Sequence, residues 1–204
     1  MSSERKIQNI ALTGFMGVGK STIGRHLADL MGFEFIDTDE RIESEAKCSI
    51  QEIFASQGEA SFRKLEQQLV REMDQWSNHV ISTGGGLVTF EDNLEKLKSY
   101  AFIVCLWASP ATIYDRISRQ SHRPLLQTED PLSTITKLLD QRKQAYQSAD
   151  LMINTEVRPM RQITQIIIRS FRAAKNRTRH SMGSPRVNAQ AKIGPSSPAK
   201  PSNQ

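Results

Sequence analysis

Gly14, Gly19, Lys20 and Ser21 stand at the offsets of a phosphate-binding loop. Glycines let successive backbone N–H groups turn inward around phosphate oxygens. A helix that begins at such a loop adds its positive N-terminal end. Lys20 reaches the β- and γ-phosphates as a point charge. The Ser21 hydroxyl joins the shell of a Mg²⁺ ion whose other positions are phosphate oxygens and waters. The spacing therefore predicts that Gly14, Met16, Gly17, Val18, Gly19, Lys20 and Ser21 hold a nucleoside triphosphate with its Mg²⁺. Thr22 has two readings, an α-phosphate contact or a second hydroxyl capping the helix.

Other residues supply what a transfer from that triphosphate needs. Asp37 and Asp39 follow the apolar pair Phe35-Ile36. In extended backbone two residues so spaced point the same way. Asp39 also sits where it would cap the next helix. Beside a phosphate loop, one carboxylate can hold Mg²⁺ through water. The other can accept the proton of an acceptor hydroxyl or orient it in line. Arg63 opens a long charged helix and, taken alone, reads as a solvated face residue. Gly84-Gly85-Gly86 follow an apolar run directly, which suggests backbone approaching a ligand closely, with a flexible turn as the alternative. Arg123, in a polar stretch at 120–130, is either a surface arginine or one that swings onto the γ-phosphate.

These residues need a scaffold, and the pattern predicts one. Short apolar runs at 7–13, 33–36, 80–83, 101–107 and 151–154 read as strands. Helical spacing covers about 20–31, 39–47, 50–57, 60–76, 90–99, 110–119, 131–148 and 159–174. Strands alternating with helices, and lacking clean polar alternation, predict a five-stranded parallel sheet covered on both faces, a three-layer α/β domain. Ligands of such sheets gather at the carboxyl ends of the strands. The loop, Asp37 and the glycine triplet each follow a predicted strand.

Composition limits the alternatives. Cys48 and Cys105 form no metal-ligand spacing or disulfide framework, and the four histidines are scattered. No apolar run is long enough to span a membrane, and the N-terminus lacks a secretory pattern, so a cytoplasmic protein is expected. The net charge of +5 hints at nucleic acid. Six basic residues and no acid lie in 175–204, however, leaving 21 basic against 22 acidic residues before them. The excess belongs to a Pro-, Ser- and Ala-rich tail, expected to be disordered, and not to a nucleic-acid-binding face.

Five motifs together resemble one family. The loop, Asp37-Thr38-Asp39, Phe62-Arg63-x-x-Glu66, Gly84-Gly85-Gly86 and Arg123-Pro124-Leu125-Leu126 are similar in order and spacing to those of shikimate kinases, over about residues 7 to 172. The resemblance implies a P-loop kinase fold with a mobile lid at about 119–130. It also implies phosphorylation of the 3-hydroxyl of shikimate by ATP, in aromatic amino acid biosynthesis. By that similarity Asp39 binds the reacting hydroxyl and Asp37 is the indirect Mg²⁺ partner, beside Ser21. Arg63 and Arg142 grip the shikimate carboxylate, with Glu66 orienting Arg63. Asp39 and Gly84, Gly85 and Gly86 hold the hydroxyls, and Phe54 and Phe62 form an apolar wall. Arg123 becomes the lid arginine, Arg116 the adenine-stacking one and Arg158 a further nucleotide contact. The catalytic set is then Lys20, Asp39 and Arg123, in a monomer binding ATP and shikimate, with the domain at 1–174. The alternatives are a gluconate kinase, which would share loop and fold, and a nucleotide-binding module without catalysis.

Overall fold

In the computed structural model the described residues are 5–119 and 129–183. Five strands, β1 (Asn9–Thr13), β2 (Glu34–Asp37), β3 (His79–Ser82), β4 (Ala101–Trp107) and β5 (Leu151–Asn154), form one sheet in the order β2-β3-β1-β4-β5. Every pairing is parallel. The helices are α1 (Lys20–Met31), α2 (Thr38–Ala46), α3 (Ile50–Glu72), α4 (Glu91–Tyr100), α5 (Pro110–Ser118), α6 (Pro131–Gln147) and α7 (Met160–Gly183). Both sheet faces are covered, which explains the apolar runs. Phe102, Val104 and Leu106 of β4 share a core with Leu27 of α1 and Ile167 of α7. The alternate residues Ile103 and Cys105 pack with Leu69 of α3 and Leu97 of α4. β1 lies between β3 and β4, where the strand order reverses. The crevice above its carboxyl end is the place such sheets reserve for ligands.

Three boundaries differ from expectation by two residues or more. The two helices expected at 50–57 and 60–76 are one run, α3, interrupted at Gly58 by a backbone at φ 78° and ψ 170°. That φ is left-handed, which glycine tolerates without steric cost. β1 begins two residues late, although Lys6 and Gln8 still donate to Ser99 O and Tyr100 O at 2.8 and 3.0 Å. The last helix does not stop at 174 but continues to Gly183, so the expected disordered tail cannot begin at 175. No glycine or proline interrupts 175–182, and the Thr178 hydroxyl donates back to Lys175 O at 2.9 Å. The Lys175 ammonium lies 5.6 Å from the centre of the Phe171 ring. Residues 184–204 lie outside the described residues.

Candidate active site

One cavity of about 740 Å³ opens at the carboxyl end of the sheet. It is lined by the loop after β1, the starts of α1 and α2, the middle of α3, the glycine triplet after β3, and residues of α5 and α6. Met16, Gly17, Gly19, Lys20, Ser21, Thr22, Asp37, Asp39, Phe62, Arg63, Gly84, Gly85, Gly86, Arg116 and Arg142 all line it. Residues spread over 127 positions of sequence thus meet in one crevice.

The loop forms one end. Gly14 has φ 133°, and a Cβ there would collide with the Leu106 carbonyl of β4. Gly19 has φ 97° and occupies the N-cap of α1, where no side chain takes the first helical N–H groups. Those donors and the helix dipole favour an anion. Lys20 Nζ donates to Gly14 O at 2.9 Å and Phe15 O at 3.0 Å, which folds the ammonium over the loop. Gly14 and Val18 stand behind the cavity wall: Val18 is buried in the core beside α1. Arg116 donates to Gly17 O at 3.3 Å and to Thr155 Oγ1 and O, both at 3.0 Å, tying α5 to the loop. Arg158 is exposed between β5 and α7 and does not line the cavity. Arg123 lies outside the described residues.

The two carboxylates divide their tasks. Asp37 ends β2 in extended backbone and is the N-cap of α2, its Oδ1 accepting from Asp39 N at 3.1 Å. Capping was one of two readings of Asp39; the helix starts at Thr38, which places Asp39 in its first turn. The other Asp37 oxygen accepts from Ser21 Oγ at 3.0 Å. This hydroxyl–carboxylate pair offers the hard oxygen donors that Mg²⁺ prefers. Among the described residues no group of three or more His, Cys, Asp or Glu could hold a metal.

Asp39 is left without a capping role, and its Oδ1 is buried with no hydrogen-bond partner. Burial first, and then Asp37, push its carboxyl up to about 6 from an ordinary 3.8, while Lys20 and Arg63 pull the other way. A buried acceptor atom left unsatisfied costs free energy unless a ligand completes it. An acid poised near neutral pH beside a triphosphate loop is suited to proton transfer.

Each glycine of the triplet faces one functional side chain. A Cβ on Gly84 would collide with Asp39 Oδ1. One on Gly85 would stand 3.2 Å from Arg142 Nη1, and one on Gly86 3.1 Å from Arg63 Nη1. The triplet is therefore a surface of close approach, not a flexible turn. Gly84 N donates to the buried Thr38 hydroxyl at 2.8 Å. Gly85 O accepts from Arg142 Nη1 at 3.1 Å and Tyr146 OH at 2.9 Å. Arg142 also lies 5.4 Å above the Phe15 ring, and Arg63 4.9 Å above that of Phe90. Arg63 Nη1 donates to Glu66 at 2.7 Å; the Glu66 side chain is only 1% exposed, and burial raises its pKa. Two cationic side chains thus converge beside Asp39 without being part of the phosphate loop.

Some residues were missed, and Phe54, like Arg158, is placed differently. Thr38, Thr83 and Tyr146 shape the site but escaped attention in the sequence; Tyr146, four residues beyond Arg142 on one helix face, was readable. Asp115 and Arg119 also line the cavity. Phe54, expected in the pocket wall, is 38% exposed and outside the lining. It packs on the outer side of Phe62, with ring centres 5.0 Å apart.

The chain is similar to known proteins. The family model described as shikimate kinase matches residues 16–172. The chain belongs to the shikimate kinase family. As such it is an ATP-dependent phosphotransferase. The shikimate kinase of Caldanaerobacter subterraneus is 41% identical over 171 residues, 84% of this chain and all of that protein. The structure of shikimate kinase from Acinetobacter baumannii in complex with shikimate superposes with a TM-score of 0.76 at 37% identity, covering 83% of this chain and 95% of that one. A gluconokinase from Sinorhizobium meliloti superposes with a TM-score of 0.58 at 14% identity, over 87% of this chain and 98% of that one. That likeness is one of fold alone.

Proposed function

We propose that the chain transfers the γ-phosphate of ATP to the 3-hydroxyl of shikimate, giving shikimate 3-phosphate and ADP, and that Asp39 takes the hydroxyl's proton. The observation that carries this assignment is the Asp39 carboxylate, buried with an unpartnered oxygen and raised to about 6 between the loop lysine and Arg63. The hydroxyl oxygen forms its bond to the γ-phosphorus as the bond to the bridging oxygen breaks. That electron pair leaves with ADP, and the proton passes to Asp39.

Lys20 and the N–H groups at the start of α1 offset charge on the transferred group and on ADP. Ser21, and Asp37 through water, would hold one Mg²⁺, which would offset part of the charge on the phosphates. Arg63 and Arg142 face the acceptor's carboxylate, since a planar guanidinium matches a carboxylate in two parallel hydrogen bonds. Gly84 to Gly86 leave room for the ring, and Phe62 supplies an apolar wall. Arg116 gives a flat face for the adenine, Thr22 and Arg158 further nucleotide contacts, and Arg123 a cation for the γ-phosphate from the segment at 120–130. The same reading takes the chain as a cytoplasmic monomer binding no nucleic acid. Residues after Gly183 then lie outside the catalytic unit.

A coupled assay of ADP release tests the reading. ADP should appear with shikimate and not with gluconate. Release driven by gluconate would favour the related kinase, and none with either acceptor would favour a binding module.

A further inference from the structure

The guanidinium of Arg63 is already held by two carboxylates, and they differ in kind. Glu66 is buried on the same helix and takes Nη1 at 2.7 Å. Glu59 takes the side-on pair, Nε at 3.1 Å and Nη2 at 2.8 Å, through a single oxygen. Its side chain is 62% exposed, while that of Arg63 is 21% exposed. Glu59 directly follows Gly58, where α3 is interrupted, and does not line the cavity. A Cβ on Gly58 would meet nothing within 4 Å, so only backbone conformation explains this glycine.

We propose that Glu59 is an internal competitor for the acceptor's carboxylate. It holds the Nε–Nη2 edge of Arg63 while the site is empty and gives it up when an anionic acceptor arrives. The proposal rests on Arg63 binding that carboxylate. Glu66 cannot play this part, because leaving Arg63 would strand a buried charge. Glu59 can, because it moves from an exposed ion pair into water, at the small cost of such a pair. The exchange replaces one carboxylate with another at the same donors. A neutral acceptor brings nothing to exchange and leaves the Arg63–Glu59 pair closed. Glu59 therefore lowers affinity for the anionic substrate slightly and leaves affinity for uncharged alcohols of similar shape as it is.

Glu59→Gln removes the charge and keeps the shape, and Glu59→Ala removes both. In each, the shikimate KM should fall about two- to fivefold, the weight of an exposed ion pair. The kcat and the KM for ATP should stay as they are. Shikimate methyl ester, which carries no charge, should show the same KM in all three proteins. A shikimate KM that rises would make Glu59 an orienting residue like Glu66, and one that stays constant would remove it from binding; either overturns the proposal. Modification of Arg63 by phenylglyoxal, followed by peptide mass, needs no acceptor and should be faster in Glu59→Gln. If the wild-type chain released no ADP with shikimate, the functional reading would fail. The phenylglyoxal rates would still report whether Glu59 shields the arginine, and equal rates would refute the shielding.

Discussion

The raised pKa of Asp39 gives two measurable consequences of opposite sense. For activity, the carboxylate must be ionised to accept a proton. With a carboxyl at about 6 in the free enzyme, kcat/KM for the acceptor should fall as pH drops through that value. At pH 5 roughly a tenth of the carboxyl would remain ionised, so activity should fall about tenfold from its plateau. An unperturbed aspartate would still be almost wholly ionised there. For stability, the folded chain holds this proton more tightly than the unfolded chain does. Stability therefore declines as pH rises from about 4 to about 6 and is level above. A shift of about two units corresponds to about 3 kcal/mol, an upper figure since the side chain keeps some contact with water. Asp39→Asn should thus stabilise the empty protein at pH 8 by up to about 3 kcal/mol, with the gain gone near pH 4. The same variant should lose turnover by about 10²–10⁴-fold while still binding ATP. Paired thermal-melt and rate profiles between pH 4.5 and 8.5 measure both. A kcat/KM limb lying near 4, or an Asn variant no more stable than the wild type at pH 8, would refute the argument that burial sets this group.

Two further outcomes follow from packing. Gly84→Ala puts a methyl group against Asp39 Oδ1, so kcat should drop while the KM for ATP is kept. An unchanged kcat in steady-state assays would show that Asp39 has room to shift. A chain ending after Gly183 should keep full activity. One ending after Ala174 removes the last turns of α7, and with them the Lys175–Phe171 contact, so its melting temperature should be lower. Equal melting temperatures would show that those turns add no stability.

Much of this protein was legible in its residues. The phosphate loop needs its glycines, lysine and serine within eight positions, so local spacing alone announced it. The strands were legible because burial on both faces leaves continuous apolar runs such as Ala101–Trp107. Helix starts such as that at Pro110, and stops such as that at Gly32, came from backbone chemistry that acts within one turn.

What tertiary structure decided lies where one residue's role depends on a distant neighbour. Asp37 and Asp39 are the same side chain two positions apart. Which one caps α2 depends on where β2 ends, and β2 ends where its pairing with Ser82 of β3 ends. The three glycines looked alike until α2, α3 and α6 brought Asp39, Arg63 and Arg142 against them. Phe54 and Phe62 are both apolar residues of α3, yet only Phe62 lines the cavity, with the left-handed turn at Gly58 between them. Loop chemistry is local and can be read along the chain. Burial, charge coupling and the choice between two similar carboxylates are sums over neighbours that only the folded sheet brings together.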